Sequence, residues 1–265
     1  MMSLDGTLNI AYWSNGNHIT YVSGLYDKAT DTLTFKDSPT QLDTAGSASH
    51  PMLAVSPVDG SVTVAWISEA TTPHHILART KLSATWGNIE MVSDAAVNVW
   101  TYLDPQGGLS VDQGPSLIVT LDGNKHLTYI EASDSTGNYG HTHYVIHTAQ
   151  AGWVDSALNY YSHDPALATN SSSDVYIFGH AMYLDPAPCT SSDYICLLKR
   201  NADGSWGAPQ LFATPPSGET FDDSVSTKWS VVGWNRPELI EVAFFSGQTS
   251  NYWNMSLYYG TIGSQ

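Results

Sequence analysis

Two histidines stand next to prolines at the head of strand-like runs, in Ser49-His50-Pro51 and His163-Asp164-Pro165. An imidazole titrates near neutral pH and can take or give a proton at a scissile bond when it is held beside one. His50, and His163 crowded beside Asp164, are the acid/base candidates. A hydrolase working with paired carboxylates needs a second Asp or Glu about 5–9.5 Å from the first. Asp112, Glu131 and Asp222 are open to that role, and spacing does not rank them. His50, Asp112, His163 and Asp164 are therefore assigned to catalysis. Trp13, Glu131, His180, Tyr183 and Lys228 are assigned to ligand binding. The flat faces of Trp13 and Tyr183 suit the apolar face of a pyranose ring.

Other chemistry is weaker or excluded. His141, His143 and His147 share parity on one strand, and His-x-His can set two imidazoles on one metal. No carboxylate is placed beside them by sequence, so we read a solvated Tyr-rich face and assign neither metal nor cofactor. His74 and His75 point to opposite faces of an extended chain. A sialidase mechanism clamps a carboxylate with an arginine cluster, and the chain has only Arg79, Arg200 and Arg236. Cys189 and Cys196 are placed to close an eight-residue ring, worth about 2–3 kcal/mol by chain entropy.

The positioning elements are strands. Helical periodicity with caps is nearly absent, and period-2 runs dominate, as in Leu8–Trp13, Val62–Trp66, His126–Tyr129 and Leu239–Phe244. Asp5-Gly6, Asp59-Gly60 and Asp122-Gly123 precede three of these runs, and Asp-Gly between apolar runs signals a hairpin. Upstream lies a recurring Pro-x-Leu element, at 51–55, 115–119 and 165–169. Trp86, Trp153 and Trp206 open fourth strands. Second strands fall near 7–13, 61–68, 125–132, 173–180 and 238–246, and 265 residues over five units is 53 per unit. Four-stranded units at that period predict an all-β, five-bladed β-propeller spanning 1–265 as one domain. We count about 18 strands, with the last strand of unit five and the first of unit one missing at the seam. Residues just before the innermost strands then ring one face of an axial channel, at His50, Asp112, His163-Asp164 and Lys228. Loops at 14–18, 131–141 and 180–193 crowd the same face.

The Pro-x-Leu-Ala-Val element, the Asp-Gly turn and the β-branched, aromatic strand resemble the repeats of the sialidase-like, Asp-box-related propeller superfamily. The Asp-box spacing itself is not present, and Asn201-Ala202-Asp203-Gly204-Ser205-Trp206 is a degenerate version. Val231–Leu239 is similar to the repeats of bacterial and fungal lectin propellers. His163-Asp164-Pro165 resembles the His-Asp-Pro of arabinanase-type glycoside hydrolases, here in the fourth unit. These resemblances imply a propeller fold and a carbohydrate ligand, and fold alone does not assign function.

Composition agrees. Nine basic against 25 acidic residues give a formal charge of −16, which excludes a phosphate-binding footprint and hence nucleic acid. No apolar run approaches the roughly 20 residues of a membrane span. Met1-Met2-Ser3-Leu4 leads straight into a strand pattern, with no signal peptide read there. Acidity, few lysines and the close Cys pair point to a secreted or periplasmic monomer. In a multivalent lectin the ligand-reading residues recur blade by blade, whereas His50, Gly114, Asp164 and Lys228 differ at one aligned position. We therefore expect one composite glycan or oligosaccharide site in the axial funnel, on a protein acting as a glycoside hydrolase or polysaccharide lyase. The alternatives are a non-catalytic lectin with pockets between blades near Trp86, Trp153 and Trp206, and a protein-interaction propeller.

Overall fold

The computed structural model describes residues 1–3, 5–99, 115–132, 139–160, 162–170, 172–181, 189, 194–215, 217, 220–221, 229–232, 239–247 and 255–263. For 139, 162–164, 180–181 and all of these beyond 217, the description is of the backbone. These residues are all-β, in five antiparallel sheets with no helix among them.

Sheet one holds β1 (Thr7–Ser14), β2 (His18–Asp27), β3 (Thr32–Phe35) and β4 (Thr40–Gln41). Sheet two holds β5 (Ala48–Val55), β6 (Val62–Ser68), β7 (His75–Leu82), β8 (Thr85–Trp86) and β9 (Glu90–Met91). Sheet three runs β10 (Ser116–Val119), β11 (Lys125–Ala132), β12 (Tyr139–Thr148) and β13 (Gly152–Ala157). Sheet four runs β14 (Ser162–Thr169), β15 (Val175–Ala181), β16 (Ile195–Lys199) and β17 (Gln210–Ala213). Sheet five holds β18 (Thr220–Phe221), β19 (Trp229–Val232), β20 (Leu239–Gly247) and β21 (Met255–Gly263).

The five expected second strands are β1, β6, β11, β15 and β20, and the expected first strands before the last four are all present. Among the described residues there are 21 strands rather than about 18. Outer strands are broken: β3 and β4 both pair with β2, and β8 and β9 both pair with β7. Pro39 stands in the first break and has no N–H to give a ladder. In sheet five the first strand is split as well, with β18 and β19 both on β20. Trp206 opens no strand. It makes an isolated bridge with Arg200, and β17 starts only after Pro209.

The hairpin turns follow a local rule. Asp59 Oδ1 accepts the N–H of Ser61 at 3.0 Å, and Asp122 Oδ1 accepts that of Asn124 at 3.2 Å. Each such Asx turn puts the next residue in the left-handed region, with φ +71° at Gly60 and +82° at Gly123. In sheet four Asn170 does the same work, its Oδ1 taking the N–H groups of Ser172 and Asp174.

The chain divides into two compact units. One comprises Met1–Val99, Leu117–Leu127 and Val145–Asp155, the other Trp100–Ser116, Thr128–Tyr144 and Ser156–Gln265. In the first, β1 lies beside β5, and Ile19, Tyr21, Leu42, Ala48, Val62, Val64 and Trp66 form a buried cluster. Every residue of β6 is buried, because small Thr63 and Ala65 fill one face while Val64 and Trp66 fill the other. In the second unit, Ala168, Tyr176, Phe178, Ile195 and Leu197 form the core of sheet four. There Leu167 N–H donates to Ser116 Oγ at 2.9 Å.

Candidate functional site: two imidazole–carboxylate assemblies at one rim

The β5–β6 ladder pairs Ala48 with Ser68 and Ser49 with Ile67, then resumes at Met52 with Ala65. His50 and Pro51 thus oppose a single residue, which is a β-bulge. The proline explains it, since Pro51 cannot donate to the ladder. The bulge holds His50 at φ +50°, a conformation rare for a residue with a Cβ. The β14–β15 ladder breaks at the equivalent place, between His163 and Ala166, so Asp164-Pro165 forms the matching bulge. The two sequences singled out for chemistry are therefore the two described bulges that precede a proline at this register.

In the first unit the bulge organises a relay. Ser49 Oγ donates to Glu69 Oε1 at 2.5 Å, and His50 Nδ1 lies 2.8 Å from Ser49 Oγ. The hydroxyl has one hydrogen, and it is directed to the carboxylate. His50 must then donate from Nδ1, which makes Nε2 the acceptor of the neutral ring. Glu69 is anchored in turn, its N–H donating to Ser47 O at 2.7 Å.

A second assembly, which sequence reading did not single out, is tied to the first. His18 Nδ1 meets Asp43 Oδ2 at 2.9 Å, and Asp43 also accepts the N–H of Ile19 at 2.7 Å and of Gly46 at 3.1 Å. Burial of Asp43 works to raise its pKa, but the hydrogen bonds from His18, Ile19 and Gly46 outweigh it and hold the carboxyl below its ordinary value. Residues 43–50 carry both assemblies, with Asp43 at one end and Ser49-His50 at the other. Asn17 O accepts the N–H of Ala48 at 2.9 Å and fastens the β1–β2 turn to the same segment. Trp13, one residue from the end of β1, is 40% exposed.

In the second unit, Glu131 Oε2 lies 3.4 Å from His143 Nε2, and the His143 ring stacks on Tyr129 at 4.7 Å. A Cβ at Gly140 would stand 2.7 Å from Glu131 O and 3.1 Å from its Cβ, so glycine alone fits there. His163 and His180 are directly opposed across β14 and β15, which brings two expected site residues together in register. Asp112, Asp222, Tyr183 and Lys228 lie outside the described residues.

The three histidines of β12 have separate surroundings. His141 Nδ1 lies 3.1 Å from Leu158 O, His143 is buried against Tyr129, and His147 meets the Trp153 ring edge at 4.8 Å. The solvated face expected for this strand is thus corrected, because His143 packs against its sheet neighbours at 4% exposure. Among the described residues no three His, Cys, Asp or Glu side chains form a metal cradle. Trp86 and Trp206 pack edge-on against Tyr21 and Tyr144, and Trp153 Nε1 donates to Glu90. Cys189 and Cys196 form the expected disulfide, with S–S 2.04 Å and both residues buried.

No protein-family model and no curated protein matches the chain. Among solved structures it is similar to the polysaccharide lyase Uly1, at a TM-score of 0.62 and 11% identity. That likeness covers 100% of this chain and 57% of the lyase, so the chain spans little more than half its length. An exo-1,5-α-L-arabinanase from a bovine ruminal metagenomic library aligns at a TM-score of 0.47, with 11% identity over 98% of this chain and 91% of that one. An α-L-arabinofuranosidase from Lactobacillus brevis aligns at 0.47, with 12% identity over 98% and 88%. Scores below one half carry no weight here. What the chain shares with Uly1 is a fold.

Proposed function

We propose that this chain is a carbohydrate-active protein that works on a glycan or oligosaccharide by glycoside hydrolysis or polysaccharide lysis, with its five sheets as the blades of a five-bladed propeller. The observation that carries the reading is the bulge relay, in which Glu69 and Ser49 hold His50 in one tautomer at the β5 bulge. A group fixed in that way serves as general base or acid on a substrate bound beside it. The fold shared with a polysaccharide lyase supports the same direction. His163, Asp164, His180 and Glu131 of the second unit belong to the proposal, as do Asp112, Tyr183 and Lys228. The Cys189–Cys196 bond supports a secreted or periplasmic protein.

The test is incubation with arabinan, xylan and uronate-containing polysaccharides. A hydrolase releases reducing ends. A lyase also creates an unsaturated, ultraviolet-absorbing end. Either activity should disappear in His50→Ala. Absence of both activities across uronate and neutral substrates would overturn the catalytic reading.

One observation favours a second reading, sugar binding without bond breaking. A cleft of about 580 Å³ in the first unit is lined by Asn9, Tyr21, Lys36, Asp37 and Lys81 among others. Lys81 Nζ sits 5.0 Å over the Tyr21 ring and 3.8 Å from Asp37 Oδ2. That gap is too long for a direct hydrogen bond. A sugar hydroxyl placed there can accept from the ammonium and donate to the carboxylate.

A further inference from the structure

The His18–Asp43 pair has the build of an anchored hydrogen-bond acceptor. Asp43 is 5% exposed and takes three hydrogen bonds, so its carboxylate is a fixed anchor. The anchor holds Nδ1 and leaves Nε2 as the nitrogen that can accept a proton. The His18 side chain keeps 28% exposure.

The surroundings of Nε2 are cleared by two glycines at positive φ. A Cβ at Gly46 would stand 3.1 Å from His18 Cε1 and 3.5 Å from Nε2. A Cβ at Gly16 would stand 3.3 Å from Cδ2 and 3.7 Å from Nε2. Gly16 has φ +86° and Gly46 +68°. Any side chain at either place would cover the edge of the ring that Asp43 does not hold.

We propose that His18 accepts a hydrogen bond through Nε2 from a hydroxyl of the bound glycan, with Asp43 as its positioning residue; this rests on the glycan reading above. The hydroxyl keeps its proton, and Asp43 keeps the ring's own hydrogen on Nδ1. The ligand class is a polyhydroxylated chain presented to the rim formed by residues 13–18 and 43–50.

The test is diethyl pyrocarbonate modification of the intact chain, mapped by mass spectrometry, with and without oligosaccharides of arabinan, xylan and a uronate-containing polysaccharide. His18 should react in the free protein, and Gly46→Val should slow it at least tenfold. A saturating oligosaccharide should protect both His18 and His50. In folded Asp43→Asn, nitrogen NMR should show a tautomer mixture in place of Nδ1–H alone. An unreactive His18, or an unchanged tautomer in Asp43→Asn, overturns the inference. Protection of His50 without His18 overturns it alone, leaving the glycan reading in place. Protection of neither by any of these glycans overturns both.

Discussion

Ser49 gives its hydroxyl hydrogen to Glu69 at 2.5 Å, which leaves His50 Nδ1 as the donor in its own contact with Ser49 Oγ. Replacing Glu69 by Gln removes the acceptor charge, so Ser49 can turn its hydrogen towards His50 and the tautomer lock is lost. The expected outcome is a displaced pH profile for glycan turnover. The stability cost should be about 1 kcal/mol, the net worth of one hydrogen bond. Comparing kcat against pH with urea unfolding separates the two effects, and an unchanged profile counts against the relay.

At most strand positions alanine is more stable than glycine. At position 50 the order should reverse, because φ is +50°. His50→Gly is expected to exceed His50→Ala by about 1 kcal/mol, since the left-handed conformation penalises a Cβ. Both variants lose the same imidazole, so the comparison isolates the backbone. Thermal unfolding of the pair measures it.

Acid should weaken the first unit through Asp43. Its folded pKa is below the ordinary value, so its contribution is present above the unfolded pKa of about 3.9 and is lost as pH falls through the folded value. Asp43→Ala leaves the N–H groups of Ile19 and Gly46 without their acceptor, at a cost of about 2–4 kcal/mol at pH 7. The difference from the unsubstituted chain should narrow at pH 3. Urea titrations at both values check the sign.

The disulfide closes a short ring, so replacing Cys189 and Cys196 by Ser should cost about 2–3 kcal/mol and leave the sheets assembled. Titration of the unreduced, unfolded chain should find no free thiol. Circular dichroism of the double variant should keep its strand signature.

The cleft reading has its own outcome. Lys81→Met keeps the stem over Tyr21 and removes the ammonium, so weak binding of neutral monosaccharides seen by saturation-transfer NMR should fall at least tenfold. His50→Ala should leave that binding unchanged. The reverse pattern assigns the binding to the rim.

Much of the local frame could be read from the chain alone. Asp59-Gly60 and Asp122-Gly123 marked true hairpins because an Asx turn is closed within three residues, and the Pro-x-Leu runs marked the first strands of three sheets because alternation is a local property. Pro51 and Pro165 likewise carried their bulges in the sequence, since a missing N–H breaks any ladder it enters. The breaks in the outer strands were less legible, because they depend on how far β2 and β7 can still pair. The chemistry of the rim lay beyond local reading. His18 and Asp43 are 25 residues apart, and Ser49 and Glu69 are 20 apart, with no motif joining either pair. Only pairing of β4 with β2 and of β5 with β6 brings those side chains within hydrogen-bond range. A proton's place on an imidazole is set by a partner at about 3 Å, and the sequence has no term for a distance that arises only when strands meet.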